Sequence, residues 1–166
     1  PGLRIRVPNN SIMVDTWKAF GINPTALPWP EVFTALQQGT VDGQENPYWV
    51  IWEENFNEVQ DYITEVHYLM WLGPMVIGEE FFQSLPSDLQ DVVVRAAEEA
   101  VAYERQTMTD RNMRFKEELQ DRGMEIFQPE DEEVWIERAK TVWPKYYEDI
   151  GRQEMIDKIE DIKSTM

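Results

Sequence analysis

Leu3, Ile5 and Val7 alternate with Arg4 and Arg6, the period of a strand with one apolar face. Pro8 stops the strand, and Asn9-Asn10-Ser11 supplies candidate N-caps for a helix. Met13, Val14, Trp17 and Phe20 share one face of that helix, and Gly21 suits its C′ position. A short strand fits residues 23–27. Pro30 then opens a helix with Val32, Phe33 and Leu36 inward and Gly39 at its end. Strand, helix, strand, helix at this spacing predicts an α/β unit with a largely parallel sheet.

A polar stretch follows, Gly39-Thr40-Val41-Asp42-Gly43-Gln44-Glu45-Asn46-Pro47, dense in groups able to face a small polar ligand. Residues 48–56 read as an aromatic-rich helix, and residues 62–68 alternate like a strand. Residues 69–77 continue extended and apolar around Gly73-Pro74. Ser87-Asp88-Leu89-Gln90 has the form of a capping box. It opens the longest helical pattern, with Leu89, Val93, Ala96, Ala100, Met108, Phe115 and Leu119 at helical spacing until Arg122-Gly123. A continuous helix there is roughly 50 Å long at 1.5 Å per residue, a rod suited to bracing two lobes. A short strand over 124–127, a helix over 130–143 ending or kinking at Pro144, and a polar helix over 152–163 complete the pattern.

Composition narrows the function. The 32 acids against 15 bases give a net charge of −17, which makes nucleic acid and anionic membranes poor partners. Cysteine is absent, so there is no disulfide framework, thiol nucleophile or thiolate metal site. The apolar run over 69–77 is far short of the ~20 residues that span a bilayer. The chain starts at Pro1 and enters a strand pattern almost at once, with no signal peptide, so we expect a processed or truncated polypeptide, truncation being favoured.

Four residues are candidates for a ligand site. Arg6 falls on a strand whose carboxyl end faces the crevice where open α/β sheets bind ligands, and its planar fork fits a carboxylate. The plainer alternative is a structural ion pair. Asn46, ahead of Pro47, is biased to extended geometry, which holds its amide out of the next helix; the alternative is a plain capping loop. Trp29, held between Pro28 and Pro30, walls a pocket or packs in the core. Asn9 is a weaker candidate. His67, the one histidine, is expected to be a hydrogen-bonded core residue of a strand rather than a ligand or base. Acid pairs such as Glu53-Glu54 and Glu79-Glu80 are expected by chance in so acidic a chain, so no metal site is assigned. No Gly-rich phosphate loop, HExxH or nucleophile elbow occurs, and neither a cofactor nor an enzyme is indicated.

Several blocks resemble one family. Arg4-Ile5-Arg6-Val7-Pro8, Leu27-Pro28-Trp29-Pro30-Glu31-Val32-Phe33, Ala35-Leu36-Gln37-Gln38-Gly39 and Val41-Asp42-Gly43-Gln44-Glu45-Asn46-Pro47 closely resemble the DctP-type extracytoplasmic solute-binding subunits of TRAP transporters. Glu58-Val59-Gln60-Asp61-Tyr62 and Phe82-Gln83-Ser84-Leu85-Pro86-Ser87-Asp88-Leu89-Gln90 extend the match in order. The resemblance implies a periplasmic, non-catalytic, two-lobed Venus-flytrap receptor that closes on an organic acid and delivers it to membrane transporter subunits. It implies that Arg6 salt-bridges the ligand carboxylate, that Asn46 contacts it, that Trp29 lines the pocket and that Asn9 contributes.

This chain also departs from the family. Pro30 replaces a small hydroxyl residue, and Tyr48, Trp49 and Trp52 are bulkier than expected. Family members are roughly twice as long. The family's chain path assigns residues 1–67 and 108–166 to the second lobe, and residues 68–107 to a crossover strand and helix of a mostly missing first lobe. Leu69, Trp71, Val76, Ile77, Phe81 and Phe82 then lack sheet partners. An isolated chain is expected to swap, dimerise or pair through residues 69–82. Two readings from other classes remain, a helical scaffold or interaction protein and a carboxylate-dependent hydrolase.

Overall fold

Arg4–Val7 form β1, the middle strand of the larger sheet. In the computed structural model, which describes residues 2–149 and 151–164, β1 runs parallel to β2 (Asn23–Ala26) and to β3 (Gly43–Gln44). The order β2-β1-β3 meets the expectation of an α/β unit with a parallel sheet. Ile5 and Val7 are buried with Trp17 and Phe20. The latter two residues come from α1 (Ser11–Ala19) and its C-cap. Arg4 and Arg6 lie on the opposite face, as strand alternation requires. Asn10, and neither Asn9 nor Ser11, caps α1, accepting from the Met13 N–H at 3.1 Å.

α2 is Val32–Gln37, preceded by a 3-10 turn at Trp29–Glu31 that contains Pro30. α3 is Tyr48–Glu53, and a second 3-10 turn at Phe56–Glu58 replaces its expected last residues. β3 was not expected. Gly-Gln has no apolar period, and Asp42-Gly43 reads as a turn, yet Gly43 lies opposite Ile5 in the ladder. A Cβ built on Gly43 meets Ile5 Cδ1 at 2.8 Å, so a larger residue here requires the Ile5 side chain to shift.

β4 spans Tyr62–Thr64 rather than the expected seven residues, and it pairs in parallel with β5 (Glu125–Phe127) in a separate two-stranded sheet. The strand ends because the Val66 N–H turns back to the Thr64 carbonyl at 3.0 Å and His67 adopts φ 49°. His67 is therefore exposed and off the strand, not a core residue; its Nδ1 lies 3.7 Å from Glu132. Residues 69–77 form no strand, and α4 (Glu79–Ser84) follows them.

α5 is continuous over Ser87–Asp121, 35 residues and about 52 Å. The rod is as expected, but its start is not a capping box. Pro86 is the N-cap and has no N–H for Gln90 to accept, so Gln90 Nε2 reaches the Leu85 carbonyl at 2.9 Å instead. Phe115 and Leu119 are the residues α5 buries; its first half stands clear of the core. α6 is Glu132–Lys140, Pro144 lies in a 3-10 turn at Trp143–Tyr146, and α7 is Arg152–Ser164. A larger core gathers Val32, Leu36, Val41, Ile51, Phe56, Leu119 and Met124 between α2, α3 and the end of α5. Among the described residues no helix is long and apolar enough to cross a membrane.

Candidate functional site

Two arginines two residues apart on β1 have different surroundings. Arg4 is exposed and grips Asp42, with Nη2 to Oδ1 at 2.5 Å, Nε to Oδ2 at 3.0 Å and its backbone N–H to Oδ2 at 2.8 Å. That bonding holds the Asp42 carboxyl at about 2, well below its ordinary value. Arg6 is 5% exposed. Its Nε and Nη2 donate to the Leu27 carbonyl at 3.1 and 2.9 Å, and its Cζ lies 5.3 Å from the centre of the Trp29 ring. No ion pair among the described residues includes Arg6. The structural ion pair offered as an alternative for Arg6 is thus formed by Arg4. A buried guanidinium without a carboxylate beside it carries a desolvation cost that an anion relieves. Burial lowers the Arg6 pKa from 12.5, against the opposing fields of Glu45 and Tyr68.

The local chain explains where the neighbours sit. Trp29 is held by Pro28 and Pro30 in the turn after β2, half exposed, with its edge on Phe56 at 5.9 Å between ring centres. Gln44 is the β3 residue opposite Arg6. Asn46 is half-buried, and its Nδ2 donates to Gln44 Oε1 at 2.6 Å, while Gln44 Nε2 donates to Gln60 Oε1 at 3.2 Å. Asn46 does not cap α3, whose N-cap is Pro47 without a side-chain capping bond. The amide is instead tied to Gln44, the ladder partner of Arg6. Asn9 stands apart: it is exposed after β1, and its side chain makes no hydrogen bond among the described residues. Arg6 and Trp29 are thus in contact beyond the carboxyl edge of the sheet, Gln44 is the ladder partner of Arg6 and holds Asn46, and Asn9 is exposed in the segment after β1.

Next to Asn46 a cavity of about 370 Å³ opens in the seam between β3 and β4. Its size lies within the range of small-ligand pockets. Three side-chain contacts cross this seam: Gln44 to Gln60, Tyr68 Oη to Glu45 Oε2 at 2.8 Å, and the Tyr48 hydroxyl to Glu65. Burial raises the Glu45 pKa, opposed by the Tyr68 hydrogen bond and the field of Arg6. Burial and the Glu45 charge push Tyr68 up in turn. Trp17 Nε1, on the same wall, leans toward the Tyr68 hydroxyl without completing a hydrogen bond. Glu65 is a hub, accepting from Tyr48, from Lys116 Nζ at 2.7 Å and from Gln128 Nε2 at 3.1 Å. Burial opposes its ionisation, and the Lys116, Tyr48 and Gln128 hydrogen bonds outweigh that and bring its pKa to about 2. Glu45 was read only as part of the Gly39–Pro47 stretch, and Glu65 and Tyr68 were not singled out, because nothing in the sequence distinguishes them among 32 acids and 6 tyrosines. Among the described residues no cluster of His, Asp and Glu is placed to hold a metal ion.

A parallel sheet with a buried arginine at its carboxyl edge and a cavity close by has the layout in which open α/β folds hold ligands. The chain belongs to the bacterial extracellular solute-binding proteins of family 7 (DctP), whose sequence profile matches residues 1–149. It is 30% identical over 159 residues to the C4-dicarboxylate-binding periplasmic protein DctP of Shewanella loihica, covering 94% of this chain and 47% of that protein. Among solved structures, an apo, open TRAP periplasmic solute-binding protein from Rhodobacter sphaeroides is 45% identical, with a TM-score of 0.85 over 99% of this chain and 54% of that one. The ectoine-binding protein of the TeaABC TRAP transporter of Halomonas elongata is 27% identical, with a TM-score of 0.89 over 99% of this chain and 56% of that one. The resemblance read from the Arg4–Val7 and Val41–Pro47 blocks is thereby upheld. The family is one of solute receptors, not of enzymes, and the matches favour neither the scaffold nor the hydrolase reading. The chain spans about half the length of the relatives it matches.

Proposed function

We propose that this chain is the ligand-binding half of a TRAP-type solute receptor that captures an organic acid through its carboxylate. Arg6 is the anchor, Asn46 the second contact, Trp29 a pocket wall and Asn9 a contributor. One observation carries the reading: Arg6 is buried at the sheet edge without a carboxylate partner, while Arg4 on the same strand has one. The amide of Asn46, held by Gln44, the ladder partner of Arg6, supplies a neutral donor for the second carboxylate oxygen. Binding without turnover needs no cofactor, and none is assigned.

In this reading residues 1–67 and 108–166 form the second lobe of a periplasmic receptor, and residues 68–107 belong to the first. The exposed Leu69, Trp71, Val76, Ile77 and Phe81 support that division, because an apolar run of this kind needs a covering partner. In the isolated chain, residues 69–82 pair with a second copy. The loaded receptor delivers its acid to TRAP membrane subunits.

The test is titration of the chain with small organic acids, followed by thermal shift and calorimetry, for wild type and Arg6→Lys. An ammonium cannot reproduce the fork, so the substitution is expected to weaken binding by about 1.5–3 kcal/mol, more than roughly tenfold. Equal affinity in the variant removes Arg6 from the site, and substrate turnover overturns the receptor reading.

A further inference from the structure

Three side-chain amides line the seam cavity in a row, Gln60, Gln44 and Asn46. An amide has a donor end and an acceptor end, so a row of them has a direction. Gln44 Nε2 donates to Gln60 Oε1 at 3.2 Å, and Asn46 Nδ2 donates to Gln44 Oε1 at 2.6 Å. Gln60 thus takes the donor end of Gln44 and leaves its acceptor end to Asn46. One N–H of Asn46 is engaged in that bond; its second N–H and its Oδ1 make no hydrogen bond among the described residues. Gln60 is the anchored end of the row. Val59 before it packs against the larger core, and the Asp61 carbonyl after it accepts from the Glu125 N–H at 2.9 Å. The Gln60 amide lies along β3, its Nε2 3.6 Å from a Cβ built on Gly43. Asn46 has no comparable anchor of its own, since it lies between β3 and α3 and its side chain bonds Gln44 alone.

We propose that Gln60 is a positioning residue, which acts through Gln44 to fix which end of the Asn46 amide is tied back and which groups it shows to the cavity. The proposal rests on the reading of Asn46 as a ligand contact and deepens it. The last torsion of a Gln or Asn side chain is two-fold and soft, so the amide turns over at little cost unless a partner prefers one end. Without an acceptor at position 60, Gln44 is free to turn its NH2 group toward Asn46. Asn46 then turns as well, tying back its Oδ1. With Gln60 in place one arrangement is left, and the free N–H of Asn46 is set before a ligand arrives. The nearby carboxylates do not compete for the row: Glu45 accepts from Tyr68, and Glu65 from Tyr48, Lys116 and Gln128. A contact already held in place loses less side-chain freedom on binding, worth about threefold to tenfold in affinity.

Two substitutions separate the acceptor of Gln60 from its bulk. Gln60→Met keeps the length and has no acceptor of comparable strength; Gln60→Glu keeps the acceptor and has no donor. The side-chain NH2 signals of Asn46, assigned by their loss in Asn46→Ala, report the row in the ligand-free 166-residue chain. One of the two protons is expected to exchange with water more slowly than the other. Gln60→Met is expected to speed that exchange about threefold to tenfold, and Gln60→Glu to leave it slow. The Arg4 side-chain signal, held by Asp42, stays in place in each variant and reports an intact sheet. In calorimetric titration with the tightest binder among succinate, 4-hydroxybutyrate and D-glucuronate, Gln60→Met is expected to weaken affinity about threefold to tenfold. In the Asn46→Ala background the same substitution is expected to change it less than about twofold, because its route runs through Asn46. Exchange unchanged in Gln60→Met, or sped equally in Gln60→Glu, overturns the role of Gln60 and leaves the receptor reading standing. So does an equal loss of affinity with and without Asn46, which marks Gln60 as merely structural. If none of the three acids binds the wild type, the receptor reading falls, and the positioning role with it.

Discussion

The β2-β1-β3 unit and residues 69–82 are both rich in large apolar side chains, and they meet opposite ends. Phe56, Leu119, Val7, Val32 and Val41 are sealed from solvent, whereas Met70, Trp71, Leu72, Met75 and Val76 are between 64% and 84% exposed. Residue type does not account for this. Val7 packs beneath α1, and Phe56, Leu119, Val32 and Val41 pack in the core between α2, α3 and the end of α5; the second group has no such cover among the described residues. Burial is decided by the partner an apolar side chain finds. The same contrast repeats at small scale on β1, where Arg4 has its carboxylate and Arg6 does not.

The contrast breaks most visibly by truncation on its two sides. Phe56→Ala is expected to cost about 3–5 kcal/mol in urea unfolding, since it opens a cavity in the larger core. Trp71→Ser is expected to stay within about 0.5 kcal/mol. A similar loss at both positions would show that residues 69–82 are packed after all. In sedimentation velocity, the wild-type chain is expected to associate with rising concentration, and the Trp71→Ser, Val76→Ser double variant to remain a monomer. A compact wild-type monomer without exposed apolar surface contradicts the pairing through residues 69–82.

A smaller effect tests what fastens α5 to the seam. The folded-state pKa of Glu65 is about 2, below its ordinary 4.5, so its contribution is complete above 4.5 and is lost as pH falls toward 2. That contribution is on the order of 2 kcal/mol. Urea midpoints across pH 2–6 are expected to show the decline in wild type and a flatter profile in Glu65→Gln; parallel profiles would remove the hub. Gly43→Ala follows, costing up to about 1 kcal/mol because the added methyl displaces the end of the Ile5 side chain. No loss there would mean that the Ile5 side chain moves aside without strain.

Much of the fold was legible because the period of apolar residues is strong where packing is one-sided. Ile5 and Val7, the α1 face with Trp17 and Phe20, and Phe115 with Leu119 on α5 all lie where alternation or helical spacing puts them. β3 was not legible, because its two residues are held by their neighbours on β1 and by the absence of a side chain at Gly43. β4 looked longer than it is, because Glu65, Val66 and His67 keep the strand period while a local turn and the Glu65 hydrogen bonds redirect the backbone. At the candidate site, Arg6, Trp29 and Asn46 were put forward by the family resemblance, since the local pattern alone left a structural role open for each. Glu45 and Tyr68 were not, since their meaning comes from a contact across 23 residues that no local pattern encodes.

The side-chain Nε–Hε resonances of Arg4 and Arg6 offer the most direct test, with Arg6→Lys assigning the second signal by its loss. On addition of 4-hydroxybutyrate, the Arg6 signal is expected to shift in a saturable way while that of Arg4, held by Asp42, stays in place; the corresponding neutral amide is expected to move neither. An Arg6 signal that ignores the carboxylate, or that follows the amide equally, would contradict the claim that this buried arginine awaits a ligand carboxylate.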